Sequence, residues 1–235
     1  MPIGEDWNSF DRYLVVVAHP DDAEFSSAGT VALLTAAGKT VVIAQVTSGD
    51  KGTADFATET AHLVTTREAE EIEAARRMGV TEVDFLRQTD GELMVDLALR
   101  GVVVGAIRRH KPDVIITHDP FRPYAFHPDH RAVGFAAHDA AYPSARDPHA
   151  FPELTAQGLE PHKTAEIWYF NAEHPDLIVD ISSTMETKIN ALRAHFSQIG
   201  DRDEVWDRVR DRGRELATDM PFEYAEAFKV VQLRR

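Results

Sequence analysis

The sequence predicts an α/β domain with a doubly wound, mainly parallel sheet flanked by helices, and three observations carry that expectation. Short β-branched runs alternate with longer helical stretches through most of the 235 residues. The strand-like runs are apolar at consecutive positions, as strands covered on both faces are. The most polar short motifs follow directly on strands, where a doubly wound sheet binds its ligands.

The runs 12–18 (RYLVVVA), 39–47 (KTVVIAQVT), 82–87 (EVDFLR) and 113–119 (DVIITHD) read as buried strands. Helical stretches follow each of them, at 26–37, about 59–78, 94–111 and 129–141. The second is rich in Ala and Glu and is closed by Gly79 as a C-cap. From Tyr142 the texture changes. Residues 142–165 hold four prolines and no period, which predicts a long structureless surface loop bordering the substrate. Two further strands are expected at 166–171 and 177–182, helices at about 183–198 and 202–217, and a last short strand near 227–233. With no repeat and no interdomain linker, residues 1–235 are expected to form a single domain.

Composition narrows the chemistry. Hydrophobic residues make up 43% and charged residues 27%, enough for a sizeable core. Without cysteine there are no disulfides, thiolate nucleophiles or thiolate metal sites, so a metal must be held by imidazole and carboxylate. A net charge of -14 opposes a nucleic-acid partner or an anionic membrane surface and suits a small neutral or cationic substrate. No run is long enough to span a bilayer and the N-terminus lacks the regions of a signal peptide, so a cytoplasmic location is the expectation. Nothing in the chain fixes its copy number, which leaves room for a homo-oligomer. The alternating charges of 201–215 read as a solvated helix face.

The crevice of such a sheet lies where strand order reverses, between the first and fourth strands. AHPDDAE (18–24) ends the first strand, and the fourth leads to HPDH (127–130), so topology joins the two motifs across about 100 residues. His19, Asp22 and His130 can supply two imidazoles and one carboxylate to a divalent metal, with a position left for water. In HPDH, His127 suits an N-cap, Pro128 the first helical position and His130 the third, so one imidazole can ligate while the other faces a substrate. The adjacent Asp21 and Asp22 point differently, which lets one bind metal while the other takes a proton from the attacking water. Taken singly, each motif has a plainer reading: HPDH as a capped helix start, AHPDD as an Asp-rich turn before a helix.

TSGDKGT (47–53) is no phosphate-binding fingerprint and reads as a tight turn beside the site. Arg67 and Glu71, four apart on one helix, read as a surface ion pair rather than a binding pair. His62, His110, His149, His162, His174 and His195 read as surface or packing residues, His118 as equally placed for packing or the site, and Glu24 as a helix-start carboxylate or a support behind the ligands.

Together the motifs resemble the LmbE/PIG-L family of metal-dependent de-N-acetylases. AHPDDAE and HPDH match its paired leading motifs, REAEEIEAARRMG (67–79) its long helix, TDGEL (89–93) its Asp-Gly segment, HFSQ (195–198) a later signature and YAEAF (224–228) its closing strand. The resemblance implies a Rossmann-like fold and hydrolysis of an N-acetyl group on an amino sugar or glycoconjugate. It implies a metal, Zn2+ or alternatively Fe2+, on His19, Asp22 and His130, with Asp21 as general base. His127 would stabilise the tetrahedral intermediate or protonate the leaving amine, and Arg67 and Asp90 would hold sugar hydroxyls. Some relatives carry Tyr two residues before the first His of HPDH, where this chain has Ala125, with Tyr124 one step earlier. An amidase for a larger sugar-thiol conjugate and a non-catalytic sugar-binding protein are the rival readings.

Overall fold

A computed structural model describes residues 8–124 and 127–233, so Ala125 lies outside the described residues. Seven strands form one sheet in the order β3-β2-β1-β4-β5-β7-β6. Five of them, β1 (Arg12–Val17), β2 (Thr40–Thr47), β3 (Glu82–Gln88), β4 (Val114–His118) and β5 (Glu166–Phe170), run parallel. The antiparallel β7 (Ala225–Gln232) then pairs with both β5 and β6 (Leu177–Asp180). Strand order reverses between β1 and β4, where the sequence places the crevice.

Alternation along β1 divides the core. Tyr13, Val15 and Val17 pack into one apolar cluster with α1 (Asp22–Ala36), α2 (Thr60–Arg77), α6 (Met185–Leu192) and α8 (Asp203–Leu216). Leu14, Val16 and Ala18 face a second cluster with α3 (Leu97–His110) and α4 (Pro128–Asp139). Both faces of the central strands are thus covered, which is why their sequences are continuously apolar.

Several boundaries differ from expectation. The helix expected from residue 26 begins at Asp22, because Asp21 adopts a left-handed conformation (φ 99°) that turns the chain straight from the strand end into α1. The helix expected at 94–111 starts at Leu97, where the Asp96 carboxylate accepts from Leu99 N at 2.9 Å. The helix expected at 183–198 ends at Leu192. His195 leaves the helical conformation to bury its ring, and only the short α7 (Phe196–Ile199) follows.

The segment expected to be structureless is not. It contains an irregular turn at Ala140–Ser144 and the short α5 (Pro152–Ala156). Arg108, 1% exposed near the end of α3, gathers it by donating to the carbonyls of Ser144, Ala145, Asp147, Ala150 and Phe151 and to Thr155 Oγ1. His162 Nε2 meets Pro112 O, and Ala165 N donates to Asp113 O. These anchors sit at the N-terminal ends of β4 and β5, the end of the sheet opposite the crevice. Among the described residues no helix is long and apolar enough to cross a membrane.

Candidate active site

The carboxyl ends of β1 and β4 bring His19, Asp22, His118, His127 and His130 together. His19 Nδ1 lies 3.3 Å from His130 Nε2 and 3.4 Å from Asp22 Oδ2, and His130 Nε2 lies 3.1 Å from Asp22 Oδ1. Bonds of about 2.0–2.2 Å at tetrahedral angles would separate neighbouring donor atoms by roughly 3.3–3.6 Å, so the three groups already stand near the spacing of a zinc set. Their chemistry fits too. Among the described residues, His19 Nε2 faces only carboxylate oxygens, Asp90 Oδ1 at 3.0 Å and Asp129 Oδ2 at 3.3 Å. Carboxylates accept and never donate, so Nε2 keeps the proton and Nδ1 turns its lone pair toward Asp22 and His130.

The electrostatics favour a cation here. Burial opposes charge on His19, but hydrogen bonds to Asp22 and Asp90 outweigh it and carry the ring up to about 10. Burial alone would raise Asp22, yet His118, His130 and His19 hold it well below the carboxylate range. A metal held among these groups would take the place of the proton on His19. His118 is placed at the site: buried and pushed down by desolvation, it stacks on His130 with ring centroids 4.2 Å apart and brings Nε2 to 3.4 Å from Asp22 Oδ2.

Asp21 and His127 flank this set. Asp21 is pushed up to about 7 by burial and the adjacent Asp22, against the pull of Arg67 and His195. Its amide donates to Glu71 Oε2 at 3.4 Å and its Oδ2 lies 3.6 Å from Arg67 Nη2. His127 caps α4: its Nδ1 accepts from Asp129 N at 3.2 Å, which leaves the ring proton on Nε2. Burial and the neighbouring His19 and His130 lower its proton affinity, so the ring is a neutral N–H donor.

Arg67 and Asp90 reach the same site from beneath. Arg67, 4% exposed, donates through Nη2 to Pro20 O at 2.7 Å and through Nη1 to Gly49 O at 3.1 Å. It passes so close under the 47–53 turn that a Cβ at Gly49 would stand 2.0 Å from Nη1 and one at Gly52 2.3 Å, which explains both glycines. The turn beside the site is as expected; the surface pair of Arg67 and Glu71 is not, because both side chains are buried and face different partners. Asp90, 7% exposed, accepts from Lys51 N at 3.1 Å in addition to its contact with His19.

Three residues carry more than the sequence suggested. Asp129, fully buried between the two histidines of HPDH, accepts from Gly91 N at 2.7 Å and so ties the TDGEL turn to α4 while bracing His19. His195, expected as a surface or packing residue, is fully buried, with Nε2 3.4 Å from Glu24 Oε2 and 3.8 Å from Glu71 Oε2. Glu24, expected as a helix-start carboxylate or as a support behind the ligands, lies in the first turn of α1 and belongs to this buried group. The HFSQ match was the one available signal for His195: in the same segment, Gln198 Nε2 reaches Gly52 O at 3.0 Å.

The chain is similar to known deacetylases. The chain is 34% identical over 205 residues to a diacetylchitobiose deacetylase of Thermococcus kodakarensis, covering 87% of this chain and 76% of the relative. It is 27% identical to a probable N-acetyl-alpha-D-glucosaminyl L-malate deacetylase 2 of Bacillus subtilis, covering 88% and 93%. Among solved structures, the N,N'-diacetylchitobiose deacetylase of Pyrococcus horikoshii, complexed with its inhibitor MPG, superposes with a TM-score of 0.91 at 29% identity over 99% of this chain and 88% of its own. Residues 14–141, which hold both leading motifs, match the family described as GlcNAc-PI de-N-acetylase, and the chain belongs to this PIG-L family.

Proposed function

We propose that the protein is a metal-dependent hydrolase that removes the N-acetyl group of an amino sugar or glycoconjugate, releasing acetate and a free amine. The observation that carries this reading is the convergence of His19 Nδ1, His130 Nε2 and the Asp22 carboxylate within 3.4 Å of one another, with the Asp21 carboxylate next in sequence and the His127 imidazole packed on His19 and His130. A zinc or ferrous ion held by His19, Asp22 and His130 would polarise the amide carbonyl and make water acidic enough to react near neutral pH.

Asp21 takes the proton of the attacking water. A carboxylate held near neutrality by burial suits that task, since a base works best with a proton affinity near the working pH. His127, neutral with its proton on Nε2, donates to the oxygen that gains negative charge as the carbonyl becomes tetrahedral. The C–N bond then breaks as the proton collected by Asp21 passes to the amine. Asp90 holds the His19 ring and Arg67 holds Asp21, so in this reading the first work of both is positioning; the sugar contact implied by the resemblance is secondary.

A screen of N-acetylated glycosides with detection of the released amine tests the activity, and metal analysis of wild type and His130→Ala tests the centre. Hydrolysis of at least one glycoside and one metal per chain, lost in the variant, are the expected results. A wild type that hydrolyses nothing in the screen would leave a sugar-binding protein; unchanged metal in His130→Ala would remove the ligand assignment.

A further inference from the structure

A cavity of about 480 Å³ opens beside the crevice, and Asp21 is the one member of the site that lines it. From Asp21 it passes Phe25, Ser26 and Asn171 and runs between α1, α6, α8 and the β6–β7 edge, with Ile181, Met185, Val205, Val209 and Leu216 among its walls. The cations that line it are already matched: Lys188 Nζ lies 2.6 Å from Glu226 Oε1, Arg202 donates to the carbonyls of Gln198 and Ile199, Arg208 to Glu204 O and Arg212 to Glu215 Oε2. None of His19, Asp90, His127 or His130 touches it. The volume lies within the range of pockets that bury most of a small ligand and is far larger than the methyl of an acetyl group needs.

Resting on the function proposed above, we infer that this cavity receives the acyl side of the amide, and that the protein hydrolyses N-acyl amino sugars with medium-length acyl chains better than acetylated ones. The argument is directional. The scissile carbonyl carbon carries two substituents, the nitrogen with its sugar and the acyl chain, and they diverge. Asp21 lines the cavity, whereas His127, against His19 and His130, does not. The open side of the crevice, where the exposed His127 stands, admits a bulky polar sugar, whereas the Asp21 side leads into apolar walls. A hydrated sugar gains little from those walls; an alkyl chain gains from each methylene it buries. The reaction itself is unchanged: water adds to the carbonyl carbon, the C–N bond breaks, and a carboxylate and an amine leave.

The test is a series of glucosamines carrying acetyl, butyryl, hexanoyl and octanoyl groups on nitrogen, with released amine measured for wild type and for Ala172→Trp, which narrows the cavity at its half-buried rim. In wild type kcat/KM is expected to rise by up to about fourfold per added methylene until the chain fills the cavity. In Ala172→Trp the hexanoyl-to-acetyl ratio is expected to fall at least tenfold. A wild-type rate that drops with each added methylene while the acetyl compound is still cleaved overturns the acyl assignment and leaves the deacetylase reading standing. A preference that instead follows alkyl length on the C1 aglycone of N-acetylglucosamine also overturns it. Failure to cleave any compound overturns the underlying function.

Discussion

Asp21 and Asp22 are adjacent and chemically identical, and the backbone separates their work. The left-handed turn at Asp21 aims one carboxylate at Arg67 and leaves the next, at the first position of α1, among three imidazoles. Asp21→Asn is therefore expected to keep its metal and lose about 10²- to 10⁴-fold in rate, the usual cost of a missing general base. Asp22→Asn is expected to lose metal, because an amide oxygen is the poorer ligand, and to regain part of its activity in excess metal. Metal content and rate measured on both variants decide between the roles, and the opposite pattern would invert them. The meeting of the two motifs was legible because AHPDD ends the first strand and HPDH opens the helix that follows the fourth. Asp129, His118 and His195 were less legible, since a single buried acid or imidazole has no spacing to announce it and acquires its meaning from what the fold packs against it.

The precision of that turn depends on how α1 is fixed. Glu226, on the antiparallel β7, accepts from Gly29 N at 3.0 Å and Thr30 N at 2.8 Å, while Lys188 of α6 donates to Phe25 O at 2.8 Å and to Glu226. A buried ion pair thus grips the backbone of α1 from its first turn to its middle, and Gly29 allows the approach, since a Cβ there would stand 2.8 Å from Ile181. Removing one partner strands the other charge. Lys188→Met is expected to cost roughly 3–5 kcal/mol of stability, and adding Glu226→Gln to cost less than the sum of the two single changes. Urea unfolding of the three variants measures the coupling; strict additivity would mean that the pair does not act as a unit. None of this was readable from the strand and helix patterns, because periodicity reports which face is apolar and not which carboxylate crosses to a neighbouring backbone. For the same reason, element types were legible while the start of α1 and the end of α6 were not: both are decided by one residue, Asp21 or His195, leaving the helical conformation to serve the site.

Across the whole molecule, chemistry and scaffolding occupy opposite ends of the sheet. Strand order alone brought residues 19 and 130 together, which is why the crevice could be located from the alternation of elements. The position of residues 142–165 could not be, because a proline-rich stretch shows only that regular structure stops, and the deciding contact is a single arginine on a distant helix. Arg108 is almost wholly buried and satisfied by five carbonyls and a hydroxyl, so it holds that segment against α3 and the start of β4. Arg108→Met removes every one of these bonds and leaves the acceptors buried, a change of the kind that costs several kcal/mol. The variant is expected to melt at a distinctly lower temperature. Below that temperature it is expected to rank a panel of N-acylated glycosides in the same order as wild type, because loosening the far end of the sheet moves nothing at the crevice. Melting curves and relative kcat/KM values across the panel check both halves. A reordered panel would return residues 142–165 to the substrate, and an unchanged melting temperature would show that Arg108 is not what holds them.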